Sequence, residues 1–179
     1  MGELLNGIFE CLDINSSTGL ATEDSLQSMT SFQRLFYTQV HEKIGIDAVY
    51  FLRDENGIAK IPLIYFSAIQ KYDAKQVAEL HRLSWNLGEA PLLFVVTPDE
   101  ILIYNNYETP QVVENGNLDP NAGIIETLNL TNGLASQRLA LKKYHRSLIE
   151  SGEYWRQSMT RFDVQSRVDS TLMSNLRIM

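Results

Sequence analysis

The segment IPLIYFSAI, residues 61–69, decides how the rest of the chain is read. It is a nearly unbroken apolar run rich in β-branched and aromatic residues, bounded by turn-forming neighbours, and it reads as a buried strand. Upstream, IDAVYFL (46–52) has the same character, and RDENG (53–57) between the two supplies turn residues, so the pair is expected to form a hairpin. Downstream, Asp73 and Gln76 mark a capped helix start, Val77, Leu80 and Leu83 recur at helical intervals, and Gly88 stops the helix. APLLFVVTPDEILIYNN (90–106) then splits into two further strands about Thr97-Pro98-Asp99-Glu100, with proline at the second position of a tight turn. The continuous apolar run PLLFVV suits a strand covered on both faces, as helices on either side of a mixed sheet would provide.

Outward from this centre the pattern weakens. Thr30 and Gln33 offer a capping box, and Phe32, Leu35, Phe36 and Val40 follow at helical spacing, predicting a helix over 31–43 that Gly45 ends. Residues 13–31 are polar and read as a loosely held arm behind a short N-terminal helix, and 106–133 read as loop. Helices are expected at about 134–150, 153–160 and 165–179. The last carries Val164, Val168, Leu172, Leu176 and Met179 as an apolar seam, which suggests that the natural polypeptide continues. The expected fold is therefore α/β, a mixed sheet of four or five strands flanked by helices. Its expected parts are an N-terminal helix and arm (1–30), an α/β core (31–133) and a C-terminal helical extension (134–179) leading into a further domain.

The 179 residues, 44% of them apolar, suffice for one sizeable core. A lone Cys11 rules out a disulfide framework, and the scattered His41, His81 and His145 show no structural-zinc spacing. A reducing cytoplasm fits, and neither a signal peptide nor a membrane-spanning run is evident. No dinucleotide-type glycine motif is present; Gly2 and Gly7 have phosphate-loop spacing without the lysine that should follow, and both the G-x-S-x-G elbow and H-E-x-x-H are missing.

The net charge of −7 argues against a nucleic-acid surface until it is divided along the chain. Residues 1–137 hold 7 Lys and Arg against 18 Asp and Glu, a balance of −11, whereas 138–179 hold 8 against 4, a balance of +4. Within the basic part, Arg138, Lys142 and Arg146 recur every fourth residue and so form one stripe on a helix, with Lys143 beside it. Such a stripe either tracks phosphates or is the solvated face of an amphipathic helix whose Leu139, Leu141, Tyr144 and Leu148 pack inward. Two aromatic groups carry similar alternatives. His81, Trp85 and Asn86 would read an unpaired base or anchor and close their helix, and Tyr104 and Tyr107 would stack bases or mark a strand leaving the core.

The order helix, hairpin, helix, strand resembles the core of the PD-(D/E)XK nuclease superfamily, as in N-terminal domains of type I restriction subunits. That resemblance implies an aspartate on one strand and a glutamate two residues before a lysine on the next, because Mg²⁺ needs hard oxygen ligands and phosphate attack needs a nearby cation. Asp47 stands at the aspartate position, but Ser67 replaces the glutamate and Ile69 the lysine, so the aligned site is vestigial unless Glu42, Asp54 or Asp73 supplies a displaced ligand. Asp47 otherwise serves only to cap or solvate a strand start.

A second resemblance lies in AVYFLRDENGIAKIPLIYFSAIQKYDAKQVAELHRLSWNLGEAPLLFVVTPDEILIYNN and in SGEYWRQSMTRFDVQSRVDSTLMSNL, which are similar to the N-terminal region of bacterial restriction-modification proteins of the adenine-methylating kind. The family's N-P-P-Y motif and glycine-rich methyl-donor loop are not in this sequence, so the resemblance implies a non-catalytic accessory domain. It would position DNA through the C-terminal basic helix, or dock methyltransferase and restriction subunits. No cofactor is expected in this chain, S-adenosylmethionine belonging only to the downstream domain. The rival expectations are an active Mg²⁺-dependent endonuclease using Asp47 and a protein-docking module built on the 164–179 seam.

Overall fold

The computed structural model describes residues 2–54, 56–87, 90–106, 110–112 and 116–147. The expected helices at 153–160 and 165–179, with the seam from Val164 to Met179, lie outside them. The described residues form helices α1 (Gly2–Cys11), α2 (Ser31–Ile44), α3 (Ala74–Leu87) and α4 (138–147), and strands β1 (Leu20–Thr22), β2 (Ala48–Arg53), β3 (Ala59–Ala68), β4 (Leu92–Val96), β5 (Glu100–Asn105) and β6 (Ile124–Asn129). The six strands lie side by side in sequence order in one mixed sheet. Only β3 and β4 run parallel; every other neighbouring pair is antiparallel. A parallel pair needs a crossover connection, and α3 supplies it.

Alternation along the strands sends side chains to two cores. Ala48, Ile64, Phe66, Phe94, Val96, Ile101 and Ile103 face one side, where Ile8, Phe9 and Leu12 of the N-terminal segment and Leu141 of α4 cover them. Val49, Phe51, Tyr65, Leu93, Val95, Leu102 and Tyr104 face the other, beneath Tyr37 and Val40 of α2 and Val77 and Leu80 of α3. Phe66 meets Phe9 and Phe94 edge-on, with centroids at 5.1 and 5.3 Å. The architecture is thus α/β with helices on both faces, as the sequence predicts.

The helix boundaries follow from local chemistry. The Thr30 hydroxyl accepts the Gln33 amide while the Gln33 side chain accepts the Thr30 amide, and Gly45 closes α2. Asp73 Oδ1 accepts the amides of Lys75 and Gln76 at the start of α3. Pro62, lying within β3, costs the ladder little: it falls at an irregularity in the pairing with β2, and β4 joins β3 only from Ile64 onward.

The sheet has six strands where four or five were expected, and β1 and β6 lie in stretches not read as strands. β6 arises within the stretch read as loop, because only Leu128 of its six residues is buried and the alternation that marks a strand is nearly absent. β1 arises within the polar arm read as loosely held; Leu20 and Ala21 are buried, and the strand pairs with β2. What permits that pairing is Gly19. Its φ is +120°, and a Cβ there would lie 2.2 Å from the carbonyl oxygen of Phe51, while the Gly19 carbonyl accepts the Phe51 amide at 2.9 Å. Gly19→Ala is expected to destabilise the protein by about 2–4 kcal/mol, read as a lower urea midpoint at unchanged slope. An unchanged midpoint would show that β1 is not integral to the sheet.

Candidate nucleic-acid interface

Asp47 and Ser67, the residues aligned with a nuclease site, are brought together at the end of the sheet where β2 begins and β3 finishes, and both are committed to holding the backbone. The Asp47 amide donates to the Phe66 carbonyl at 2.8 Å, and its carboxylate Oδ2 accepts the Ala68 amide at 2.7 Å. Ser67 is 2% exposed and donates its hydroxyl to the Gly45 carbonyl at 2.9 Å. Ile69 is buried in the apolar core beneath α2 and α3. Tyr37 donates its phenol to the Asp47 carbonyl and stacks on His41, whose Nδ1 donates to the Ile46 carbonyl. Burial, reinforced by the nearby carboxylates of Glu23 and Asp47, pushes the Tyr37 phenol up to about 12.

The acids named as displaced ligands are placed elsewhere or otherwise engaged. Asp54 stands at the far end of β2, about 20 Å along the strand from Asp47. Its carboxylate accepts the Asn56 and Ile58 amides and pairs with Lys60 at 3.0 Å, contacts that hold it below the usual carboxylate range. Asp73 caps α3. Glu42 is exposed on α2. Among the described residues no group of three or more His, Cys, Asp and Glu side chains is placed to hold a metal ion.

Two of the base-stacking candidates, His81 and Tyr104, are interior. His81 is 1% exposed and stacks on Tyr104 at 4.9 Å, and Tyr104 is itself fully buried with its phenol donating to the Pro120 carbonyl. Neither ring is accessible to a base. Trp85 and Asn86 are half-buried on α3, and Tyr107 lies outside the described residues. Near them, Ser84 donates to Asn106 Oδ1, and Asn106 donates to the Ala90 carbonyl, a buried network tying α3 to the end of β5.

The basic stripe is solvent-facing. Leu141 is fully buried and Tyr144 meets Phe94 edge-on at 5.8 Å, so these two residues pin α4 to the sheet. The Tyr144 phenol also donates to the Glu126 carboxylate of β6 at 2.6 Å; burial, then that carboxylate, raises its pKa. Arg138, Lys142, Lys143 and Arg146 are consequently exposed, and among the described residues they form no ion pair. Leu139, expected to pack inward, is instead 80% exposed: Leu141 and Tyr144 set which side of α4 meets the sheet, and residue 139 falls on the other. Leu148 lies outside the described residues.

No local pattern in the sequence marks what stands opposite the stripe. The C-terminal half of α1 runs beside α4 and leaves two adjoining cavities, of about 320 and 340 Å³. Arg138 and Lys142 line the first, and Lys142, His145 and Arg146 the second; Glu10 and Cys11 line both. Gly7 brings α1 close here, since a Cβ on it would meet Leu134 Cδ2 at 2.6 Å.

No family model matches this chain, and neither curated proteins nor solved structures provide a match.

Two outcomes follow from the Asp47 geometry. Asp47→Ala, which strands the Ala68 amide, is expected to cost about 1–3 kcal/mol in urea unfolding, whereas Asp47→Asn, whose amide oxygen still accepts, should cost less than half as much. Equal stability of Asp47→Ala and the parent would remove its structural role. The raised Tyr37 phenol acts in the alkaline range. Its contribution is fully present below the unfolded value near 10 and is lost as pH rises through the folded value of about 12, so Tyr37→Phe should flatten the fall in stability over that window.

Proposed function

We propose that this chain is a non-catalytic, DNA-positioning domain that contacts backbone phosphates through Arg138, Lys142 and Arg146. The observation that carries this reading is the exposure of those three cations along one side of α4, unpaired by any described acid, while Leu141 and Tyr144 fix the helix on its other side. A stripe held this way offers charge to a polyanion without first breaking an ion pair to any described acid, and phosphate contact of this kind is sequence-blind and salt-dependent. The likeness of HRLSWNLGEAPLLFVVTPDEILIYN to restriction-modification methyltransferases supports DNA as the polyanion and a downstream adenine methyltransferase as the covalent partner. The commitment of Asp47 and Ser67 to backbone hydrogen bonds supports a positioning role over an endonuclease role.

Labelled DNA should bind with Kd of roughly 10⁻⁴–10⁻⁶ M at physiological salt, with log Kd rising against log salt at a slope of roughly 2–3 for three phosphate contacts. Arg138→Ala, Lys142→Ala and Arg146→Ala should each lower that slope by about one, and the triple variant should bind no better than a neutral protein of the same size. Salt-independent binding, or a triple variant that binds as the parent does, would defeat the proposal. So would nicking of supercoiled plasmid in Mg²⁺ or Mn²⁺ that Asp47→Ala abolishes.

A further inference from the structure

The groove between α1 and α4 has two walls of opposite charge. Along α4, Arg138, Lys142 and Arg146 span eight residues, about 12 Å of helix, with His145 beside them. Across from them, Glu10 at the end of α1 and Asp13 just beyond it present carboxylates, and both are exposed. Gly7, Cys11, Leu134 and Ala135 contribute small and apolar surface to the first cavity. Among the described residues the two walls make no ion pair with each other, so neither is neutralised by its counterpart.

A ligand that satisfies both walls must carry anionic groups on one edge and hydrogen-bond donors on the other. Nucleotide units with free bases have this character, phosphate on one side and exocyclic amino groups on the other. The two cavities each have the volume of a small-ligand site. On a duplex the base edges are paired, and the further phosphates would be brought toward Glu10 and Asp13, where like charges repel. Resting on the DNA-positioning reading above, we infer that the α1–α4 groove receives a single-stranded polynucleotide. Its phosphates run along Arg138, Lys142 and Arg146, and its amino-bearing bases, cytosine above all, donate to Glu10 and Asp13. Carboxylates accept from the cytosine N4 amino group and are repelled by the thymine O4 carbonyl at the equivalent place. Single-strand binders commonly pair a cationic track with a surface that meets the bases.

The test compares labelled oligo(dC), oligo(dT) and a mixed-sequence hairpin duplex of equal nucleotide number, at pH 8 and low salt, on the full chain. Oligo(dC) should bind roughly tenfold tighter than oligo(dT), and the duplex should compete more weakly than either. The double variant Glu10→Gln with Asp13→Asn should bring the oligo(dC) to oligo(dT) ratio close to one, because an amide serves N4 and O4 alike; asparagine also tolerates the positive φ of 59° at position 13. Ala135→Trp, at an exposed position on the cavity wall, should weaken both single strands. Equal affinity for the two pyrimidine strands overturns the base contact with Glu10 and Asp13, and a duplex that binds as well as they do overturns the single-strand assignment; if binding still depends on the three cations, the positioning role stands without either. Failure of all three nucleic acids to bind overturns both.

Discussion

Burial of β3 and β4 on both faces is the constraint from which the rest of the molecule follows. Ile64, Tyr65 and Phe66, like Leu93, Phe94, Val95 and Val96, are excluded from solvent whichever way they point. A sheet whose central strands are apolar on both sides requires cover above and below, and four helices provide it. Burying an aromatic side chain such as Phe66 contributes a few kcal/mol, so this central layer accounts for much of the driving force. Placement of α4 is a consequence: Leu141 and Tyr144 must meet the sheet near Phe94, and Arg138, Lys142 and Arg146 are then turned outward.

The same constraint explains why the end of the sheet near Asp47 is structural. Where β2 begins and β3 finishes, the chain leaves the ladder and backbone groups lose their partners. The Asp47 carboxylate takes up the Ala68 amide at the end of β3, and the Ser67 hydroxyl takes up the Gly45 carbonyl at the end of α2. A carboxylate used this way has one oxygen, Oδ2, held by the backbone. Its neighbours Phe66 and Ile69 are core residues, so acidic or basic replacements there would bury charge.

Much of this was legible in the sequence, and the reasons differ by residue. The paired strands about Thr97-Pro98, the capping box of Thr30 and Gln33, and the cap at Asp73 are local signals that tertiary structure leaves intact. β1 and β6 escaped because edge strands that bury few side chains lack periodicity, and a three-residue strand held by Gly19 against Phe51 depends on a contact distant in sequence. The stripe on α4 could be read from its spacing of four. Its opposing wall could not, because Glu10 and Asp13 lie some 130 residues earlier and nothing local connects them with Lys142. Spacing alone also leaves the inward face of α4 open, since Leu139 shares the apolar pattern with Leu141 yet is exposed.

An overall charge of −7 therefore coexists with a cationic track, because the acids are spread over the chain while the exposed bases of α4 are concentrated on one helix. Where a nucleic acid touches the protein distinguishes the α1–α4 groove from the Asp47 end of the sheet. Hydrogen–deuterium exchange with and without saturating oligonucleotide, in the presence of Mg²⁺, locates that contact. Slowed exchange confined to residues 7–13 and 134–147, with the amides of 46–48 and 66–69 unchanged, is the predicted result; protection centred on Asp47 and Ser67 instead would contradict it.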